Sequence, residues 1–423
     1  MLRLLVIWIG KTVLVLSRLR RGGSALPGLV VERLYPKFIH SLRPHFQTVI
    51  LVTGTNGKTT TTKMLQEILR CKYNTIVHNQ AGSNMSRGII SATLAALDWR
   101  GELSAEVGLF EVDEGFAAHL STALQPEVMV VLNLHRDQLD RYGELERVAD
   151  LLVEAAAHAK HTVINYDDPR LRNSFQLDSV SGAAAASNVR EQVPSDEALY
   201  LDDEPTEPDY TAAEVFIEDN ANQDAAQAVS FRINQRSYSA SLQIPGVFNI
   251  YNAALALAVS ELLEIDTARA VAALGEVKPA FGRTEEITIG DKTLQILLVK
   301  NPSGFNQVIA SFLSVEPLPT MIAINDNYAD GRDVSWLWDV RIESWAEADT
   351  QPIITSGSRG YDMALRLQYA DIPSRAMPSL RAALDELLAE VPPGGRGYIV
   401  PTYTAMLELR KLIGRRTEIG AWE

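Results

Sequence analysis

Apolar positions follow two different spacings along the chain. Short runs rich in β-branched residues predict buried strands, and longer stretches with apolar residues three or four positions apart predict helices. Beyond position 47 the two kinds of segment alternate, which is typical of an α/β protein with mainly parallel sheets. The predicted strands are 48–53, 107–112, 128–132, 162–164, 294–299, 320–324, 352–355 and 397–401. The predicted helices are 29–42, 63–69, 85–97, 145–158, 253–263, 305–313 and 380–390.

This pattern divides the chain of 423 residues into three parts. Residues 1–46 are predicted to be a helical segment, and residues 47–280 a first α/β domain. Residues 281–423 are predicted to be a second α/β domain, because strands and helices alternate there again.

The stretch at about 181–241 differs in character from the rest of the first domain. An alanine run, Ala183–Ala186, precedes an acidic segment that is interrupted by prolines. We predict that this stretch is a surface insertion, with a small hairpin or β-extension formed by Phe231–Ile233 and Tyr238–Leu242.

The N-terminal segment is largely apolar from Met1 to Leu16, but Arg3 and Lys11 interrupt it and three arginines follow. It is too interrupted for a spanning helix, and no small-residue cleavage site follows it, so a signal peptide is not expected. Two interpretations stay open. Either an amphipathic helix packs on the protein, or residues 1–22 form an interfacial helix whose basic end contacts anionic lipid headgroups.

The amino-acid composition argues against some binding partners and indicates the redox state of the cellular compartment. The net charge is −14, which argues against nucleic acid as the main partner because phosphate binding requires a basic face. The single cysteine, Cys71, excludes an internal disulfide and an all-cysteine metal site. It fits a reducing compartment, so we expect a cytoplasmic protein, at the inner face of the membrane if the second interpretation of residues 1–22 holds.

A phosphate-binding loop is predicted directly after the first strand. Its residues are Gly54, Thr55, Asn56, Gly57, Lys58, Thr59 and Thr60. A strand, a glycine loop, Lys-Thr and a helix follow one another here, so backbone N–H groups and the helix N-terminus would face an anion. Lys58 would reach the outer phosphates, and the Thr59 hydroxyl would hold Mg²⁺. The usual spacing would place a glycine at Val52, so this loop is shorter.

Acidic residues follow the strand predicted at 107–112. The segment reads Glu-Val-Asp-Glu from Glu111. Carboxylates at a strand end beside a phosphate loop are expected ligands of Mg²⁺, which prefers hard oxygen donors near the β- and γ-phosphates. Glu111 is the main candidate because it lies within the strand end, where a charge is unusual. The alternative is a solvated acidic turn.

Three further polar segments follow predicted strands: 133–144, 301–306 and 325–336. This is where a parallel sheet has its ligand crevice. In the first of them, His135 could be a structural histidine, and Asp137 and Asp140 could be substrate contacts or helix caps. The third holds too many polar residues for a simple turn, so we predict a structured loop that includes Asp333.

Together these motifs resemble the Mur ligases and the related folylpolyglutamate synthetases. Residues 53–60 are similar to their ATP loop, Phe248–Ala253 to their adenine-contacting asparagine segment, and 282–285 to the entry of their C-terminal domain. Residues 24–28, 133–144 and 326–338 resemble more narrowly the MurT family, the synthetase subunits of lipid II isoglutaminyl synthase. The resemblance covers nearly the whole chain. It implies a central P-loop ATPase domain followed by a Rossmann-like α/β domain of MurT type.

The resemblance also implies a reaction, the amidation of the α-carboxylate of D-glutamate in the lipid II stem peptide to D-isoglutamine. ATP would phosphorylate the carboxylate, and ammonia would displace phosphate from the acyl phosphate. Lys58 and Mg²⁺ would spread the transferring charge. In this scheme Thr59 and Glu111 hold Mg²⁺, Asn252 contacts the adenine, and Arg283 contacts the nucleotide phosphates.

The nitrogen source is predicted to be another chain. Cys71 lies beyond the ATP-loop helix without the setting of a nucleophile, so no Cys–His glutaminase pair is evident. The resemblance implies a heterodimer with a GatD-type glutaminase, and Asp333 matches an aspartate that is proposed to orient the glutaminase histidine. Holding an imidazole tautomer is the role of the third member of a triad. The alternative is that Asp333 only braces its loop.

Two departures from the family pattern are expected to matter. MurT proteins commonly carry a four-cysteine zinc ribbon in the region that matches about 181–241, which has no cysteine here, so we predict no zinc. Only about 45 residues precede the ATP domain, so the UDP-binding domain of typical Mur ligases is not expected, which fits a lipid-linked substrate.

Two other functions remain open at this point. One is a free-standing ligase of the folylpolyglutamate synthetase or Mur type, which adds an amino acid without a partner. The other is an ATP-binding scaffold for cell-wall assembly without turnover. The scaffold is disfavoured because Lys58, Thr59 and Glu111 together suit phosphoryl transfer.

Overall fold

The computed structural model describes residues 2–19, 25–79, 83–103, 105–135, 145–176, 179–193, 213–223, 226–244, 246–278, 283–346 and 353–414. The chain forms two compact units. The N-terminal unit consists of 1–134, 144–193 and 203–278, and the C-terminal unit of 135–143, 194–202 and 279–423. The three predicted parts of the chain, with boundaries at 46/47 and 280/281, stay predictions.

The helices and strands of the N-terminal unit alternate as the apolar spacing predicts. Its described helices are α1 (Leu2–Leu19), α2 (Leu26–Leu34), α3 (Lys58–Leu69), α4 (Ser86–Ala96), α5 (Glu114–Leu124), α6 (Leu145–Ala156), α7 (Pro169–Ser174), α8 (Ser187–Arg190), α9 (Val247–Leu262) and α10 (Thr267–Leu274). Its described strands are β1 (Thr48–Thr53), β2 (Ile76–His78), β3 (Val107–Glu111), β4 (Val128–Val131), β5 (His161–Asn165), β6 (Val180–Ala185), β7 (Val215–Gln223), β8 (Ala226–Ile233) and β9 (Arg236–Leu242).

These strands form one sheet in the order β2-β3-β1-β4-β5-β6-β7-β8-β9 among the described residues. The pairings from β2 to β7 are parallel, and β7, β8 and β9 pair antiparallel. All of β1 is buried between β3 and β4, because its Thr-Val-Ile-Leu-Val-Thr sequence suits a strand covered on both faces. The prediction of a mainly parallel α/β fold is confirmed.

The interpretation of Ala183–Ala186 as part of a surface insertion is wrong. Ala183, Ala184 and Ala185 belong to β6 and are fully buried within the sheet. They share a hydrophobic core with α9, where small side chains allow close packing. The strand also runs very near β5, since a Cβ on Gly182 would lie 1.9 Å from the carbonyl oxygen of Ile164.

The hairpin predicted at the end of the same stretch is confirmed. β8 and β9 pair antiparallel, with Ile233 opposite Arg236. Asn234 and Gln235 between them have φ angles of 49° and 62°, the left-handed backbone that a two-residue hairpin turn requires. The acidic, proline-containing segment at 194–212 lies outside the described residues.

The second N-terminal helix is shorter than predicted. α2 ends at Leu34 rather than at Leu42, because Tyr35 precedes Pro36 and takes a non-helical conformation. Two short 3₁₀ helices, Pro36–Ser41 and Arg43–His45, continue the chain to β1.

Helix α1 packs on the protein through one side, as the first interpretation of this segment states. A Cβ on Gly10 would lie 2.6 Å from Val31 of α2 and 2.9 Å from Leu94 of α4, so the three helices touch closely. The Lys11 ammonium donates to the carbonyl oxygens of Leu94 and Leu97 at the end of α4. None of the described helices combines the length and apolar character that crossing a bilayer requires.

The C-terminal unit contains a second, smaller sheet. Its described strands are β10 (Arg283–Ile289), β11 (Lys292–Leu297), β12 (Thr320–Ala323), β13 (Ile353–Ser356), β14 (Ser374–Ala376) and β15 (Arg396–Pro401). Its described α-helices are α11 (Pro302–Val308), α12 (Glu343–Ala346), α13 (Gly360–Tyr369), α14 (Leu380–Glu390) and α15 (Tyr403–Gly414). The strand order is β10-β11-β15-β12-β13-β14, parallel except for β10 and β11.

Helix α9 begins earlier than the sequence pattern indicates. It starts at Val247 rather than at Ala253, so Asn252 lies within the helix and not before it. The early start follows from Gly246, whose φ of 107° ends the preceding loop and allows helical geometry from the next residue.

Substituting Gly28 with alanine tests the packing of the N-terminal helices. The new Cβ would lie 1.9 Å from the Arg87 carbonyl oxygen, so α2 must move away from α4. We expect a loss of about 1–3 kcal/mol in the free energy of unfolding, measured by urea denaturation. The matched control is Gly414→Ala, where a Cβ meets nothing within 4 Å. Equal stability of the two variants would contradict the close packing.

Candidate nucleotide and metal site

Two glycines with positive φ angles shape the loop between β1 and α3, which leads into the N-terminus of α3. Gly54 and Gly57 have φ angles of 120° and 91°, which only glycine adopts readily. Lys58 opens α3, and no side chain caps the N-terminus of this helix. The first N–H groups of a helix lack partners within it and carry partial positive charge, so this end of α3 suits a phosphate.

Asn133 lies shortly after the end of β4 and holds the loop in place through hydrogen bonds. Its side-chain oxygen accepts from the Asn56 N–H at 2.9 Å, and its side-chain nitrogen donates to the Asn56 carbonyl at 3.0 Å. Its own carbonyl accepts from the Thr55 N–H at 3.1 Å. The prediction for 133–144 singled out this strand end but gave Asn133 no role, and residues 136–144, including Asp137 and Asp140, lie outside the described part of the chain.

Asn252 also contacts the loop. A Cβ on Gly57 would lie 2.5 Å from the side-chain oxygen of Asn252, so only glycine fits there without a shift. The Asn252 side chain donates to the Asn249 side chain at 3.2 Å and is buried. The fold therefore brings the two sequence-predicted parts, the glycine loop and the asparagine on α9, into contact. The adenine contact of Asn252 stays a prediction.

Lys58 and Glu114 form an ion pair beneath the loop. The Lys58 ammonium lies 3.2 Å from the Glu114 carboxylate and 2.5 Å from the Gly54 carbonyl oxygen, and both side chains are about nine-tenths buried. A buried charge must be paired, so Glu114 fixes the lysine against the loop. In the sequence, Glu114 is part of the acidic segment that begins at Glu111, and no role was predicted for it. Its position at the start of α5, directly after the Glu111 strand, is the signal that could have identified it.

Glu111 and Thr59 meet at hydrogen-bonding distance. The Thr59 hydroxyl donates to the Glu111 carboxylate at 2.8 Å, and Glu111 is buried. Adjacent ligands of an octahedral Mg²⁺ with bonds of about 2.0–2.1 Å are about 2.9 Å apart. The two oxygens therefore fit neighbouring positions on one Mg²⁺. Their role as metal ligands stays a prediction.

The backbone of Glu111 is held by a residue that sequence analysis missed. Asn79 accepts from the Glu111 N–H and donates to the Glu111 carbonyl, both at 2.9 Å. It also donates to the Ser83 carbonyl at 2.8 Å. Asn79 follows β2, a strand of three residues that is too short to give a clear pattern, so no sequence signal marked it.

Asp333 lies in the C-terminal unit, in the loop after β12. Its carboxylate is exposed and accepts from the N–H and the hydroxyl of Ser335, at 2.8 and 2.9 Å. These hydrogen bonds, the backbone one first, hold the pKa of Asp333 below its ordinary value. The carboxylate is therefore ionised at neutral pH. Arg283 is the first residue of β10, and its side chain lies outside the described part of the chain.

A buried aspartate anchors the loop that carries Asp333. Asp330 accepts from the N–H and the hydroxyl of Thr404 at the start of α15, at 2.7 and 2.5 Å. Asn327 donates to the same hydroxyl at 2.8 Å. The prediction of a structured rather than a solvated loop is confirmed.

The fold is that of a Mur ligase. The model of the Mur ligase middle domain matches residues 52–260. MurF from Acinetobacter baumannii superposes with a TM-score of 0.69 at 17% identity, over 92% of this chain and 80% of that one. MurF from Thermotoga maritima in complex with ADP has a TM-score of 0.65 at 17% identity, over 90% of this chain and 84% of that one.

The C-terminal part of the chain and its curated relatives identify a particular family among the Mur ligases. The model of the MurT ligase C-terminal domain matches residues 298–406. The subunit MurT of lipid II isoglutaminyl synthase (glutamine-hydrolyzing) from Streptococcus pneumoniae is 30% identical over 95% of this chain and 94% of its own length. The same subunit from Staphylococcus aureus is 26% identical over 94% of each. The chain belongs to the MurT family of Mur ligases.

Gly57→Ala tests the contact between the loop and α9. The added Cβ meets Asn252 at 2.5 Å, and φ at this position is 91°. We expect ATP affinity, measured by isothermal titration calorimetry, to fall by at least about tenfold.

The matched control is Gly275→Ala in the same unit. There the nearest atom to the Cβ lies 3.4 Å away, an ordinary contact, and φ is −67°. ATP affinity should be retained in this variant. Undiminished binding by Gly57→Ala would show that the loop tolerates a side chain and that its role is different.

Proposed function

We propose that this chain is the synthetase subunit of a glutamine-dependent amidotransferase. It uses ATP to amidate the α-carboxylate of D-glutamate in the lipid II stem peptide, giving D-isoglutamine for peptidoglycan synthesis. The observation that carries the proposal is a phosphate loop with the Thr59–Glu111 pair beside it, in a member of the MurT family. The substrate class is the one named for the relatives, which are subunits of lipid II isoglutaminyl synthase.

The chemistry begins with a poor electrophile. A carboxylate resists attack by ammonia because its charge is delocalised over both oxygens and it has no good leaving group. Transfer of the γ-phosphoryl group to one carboxylate oxygen gives an acyl phosphate and ADP. Ammonia then attacks the carbonyl carbon, the C–O bond to phosphate breaks, and the amide and inorganic phosphate are released after loss of a proton.

The residues of the glycine loop and the start of α3 supply positive electrostatic potential for the transfer of the γ-phosphoryl group. The N-terminal N–H groups of α3 bind phosphate oxygens, and Lys58 reaches the transferring group. Glu114 positions Lys58, because its carboxylate forms an ion pair with the Lys58 ammonium at 3.2 Å. Mg²⁺ held by Thr59 and Glu111 would add charge at the β- and γ-phosphates.

The ammonia comes from a GatD-type glutaminase that binds the C-terminal unit as a heterodimer. Asp333 suits the role of orienting a histidine in that partner, since it is exposed and ionised and Ser335 fixes both its oxygens. An apolar surface lies on the same unit. Tyr361, Leu365 and Tyr369 follow one face of α13 and are exposed, and the Tyr369 ring packs against Trp338, 5.2 Å away, from the Asp333 loop. Exposed aromatic residues of this kind are typical of a partner interface.

Lipid II as substrate places the reaction at the cytoplasmic face of the membrane. Arg283 contacts the nucleotide phosphates and Asn252 the adenine in this proposal. The region that corresponds to the family's zinc ribbon holds no cysteine, so no zinc takes part. A chelator should leave the melting temperature unchanged in the absence of nucleotide.

Asp333→Asn separates the partner's step from this chain's own step. The variant should lose at least about a hundredfold of the glutamine-dependent amidation of lipid II, because an amide does not stabilise an imidazolium as a carboxylate does. Amidation with added ammonium chloride should stay near the wild-type rate. The product is measured by mass spectrometry, where replacement of OH by NH₂ lowers the mass by about one unit.

The matched control is Asp371→Asn, an exposed aspartate with a φ of 57° that asparagine tolerates. It should retain both activities. If Asp333→Asn retained full glutamine-dependent activity, Asp333 would only brace its loop. Equal loss with glutamine and with ammonium chloride would place its effect in the synthetase step.

Glu111→Gln tests the metal role and the alternative of a scaffold. Loss of the charged ligand should lower amidation with either nitrogen source by at least about a hundredfold, and raising the Mg²⁺ concentration should recover part of it. Glu102→Gln, at an exposed position, is the control. A scaffold without turnover would not amidate lipid II even as the wild type, and an amino-acid-adding ligase would give a larger mass gain instead of the small loss.

A further inference from the structure

Helix α1 exposes an apolar stripe along its whole length. The stripe consists of Leu4, Leu5, Trp8, Val15, Leu16 and Leu19, whose exposed fractions run from 40% to 77%. Their spacing places them on one helical face, with only Thr12 as a polar member. A surface helix normally presents polar residues to water, so this stripe requires a partner of low polarity.

The opposite side of α1 is already fixed to the protein. Val6 and Ile7 are buried there, and Gly10 lies against Val31 and Leu94. The Lys11 ammonium caps the end of α4 through the carbonyl oxygens of Leu94 and Leu97. The helix therefore cannot turn its apolar face inward without giving up this packing. The packing of α1 on α2 and α4 therefore keeps the stripe on the surface.

Trp99 extends the stripe beside Trp8. Trp8 and Trp99 are each about half exposed, and the Trp8 indole N–H donates to the Trp99 carbonyl at 2.7 Å. The Lys11 ammonium lies 5.4 Å from the centre of the Trp99 ring, which holds that ring in place. Tryptophan favours the headgroup level of a bilayer, where its ring meets both apolar and polar surroundings.

The charge of the segment that contains α1 is opposite in sign to that of the whole chain. The protein carries a net charge of −14, but residues 2–21 contain five basic residues and no acid. This segment therefore complements an anionic surface. A second copy of the chain is a poor occupant of the stripe, because paired α1 helices would bring basic residues together with no acid in the segment to neutralise them.

We propose that α1 docks the protein on anionic lipid bilayers. The helix lies parallel to the membrane, its apolar stripe and the rings of Trp8 and Trp99 enter the headgroup and upper acyl region, and Arg18 at its C-terminal end contacts anionic headgroups. The proposal extends the proposed function, since it places the protein on the surface that carries a lipid-linked substrate, but the docking itself needs no substrate or nucleotide.

Vesicle flotation of the full-length chain tests the docking. Phosphatidylcholine vesicles with about a third phosphatidylglycerol should bind the wild type, and pure phosphatidylcholine vesicles should bind it at least about tenfold less. Leu16→Glu should lower binding to the anionic vesicles by at least about tenfold, because it buries a charge. The matched control is Val315→Glu, which adds the same charge at an exposed apolar position of the C-terminal unit.

Insertion is distinguished from adsorption by tryptophan fluorescence. Lipids with brominated acyl chains should quench part of the emission, and Trp8→Phe and Trp99→Phe should each lose part of the quenched intensity. Trp345→Phe should keep it, since this ring is buried in the C-terminal unit. Binding without quenching would overturn insertion and leave a purely electrostatic contact.

Failure of the docking proposal can be distinguished from failure of the proposed amidation function. No flotation of the wild type, or equal flotation of Leu16→Glu and Val315→Glu, overturns the docking even if lipid II in detergent is amidated. A wild-type dimer that Leu16→Glu converts to a monomer, seen by light scattering, would assign the stripe to a second copy instead. Flotation of a chain that cannot amidate lipid II would overturn the proposed function and leave the docking intact.

Discussion

The buried ion pair of Lys58 and Glu114 is the interaction on which the site depends. A lysine beneath a glycine loop would be costly without a counter-charge, and Glu114 supplies it from the first turn of α5. Three residues before Glu114, β3 ends at Glu111. The Glu111 carboxylate accepts a hydrogen bond from the hydroxyl of Thr59, the residue that follows Lys58 in α3. One strand end therefore provides both the partner of the lysine and the candidate metal ligand, and the register of β3 beside β1 brings them together.

The loop itself has little freedom, because it is held on two sides. Asn133 bonds to Thr55 and Asn56 from the end of β4, and Asn252 lies against Gly57 from α9. Positive φ angles at Gly54 and Gly57 turn the backbone so that its N–H groups can face an anion. This preorganisation matters for phosphoryl transfer, where the protein contributes position and charge rather than covalent chemistry.

The apolar spacing of the sequence predicted the alternating fold, the hairpin at β8 and β9 and the strand before the glycine loop, because burial on both faces leaves a clear pattern. It misassigned the alanine run of β6, since small residues look like a surface linker until α9 is seen to pack on them. The glycine loop, Glu111 and Asn252 could be identified as site residues from the sequence immediately around them. Asn79 and the pairing of Glu114 with Lys58 could not, because they arise where separate strand ends meet in space.

The account rests on the formation of an acyl phosphate in a site built around Lys58 and Glu111. The most direct measurement uses lipid II whose D-glutamate α-carboxylate carries a heavy isotope of oxygen, incubated with ATP, ammonium chloride and this chain. The account predicts that ADP is formed and that each amidation transfers labelled oxygen to the inorganic phosphate released. Amidation with unlabelled phosphate, or with AMP as the product, would contradict it.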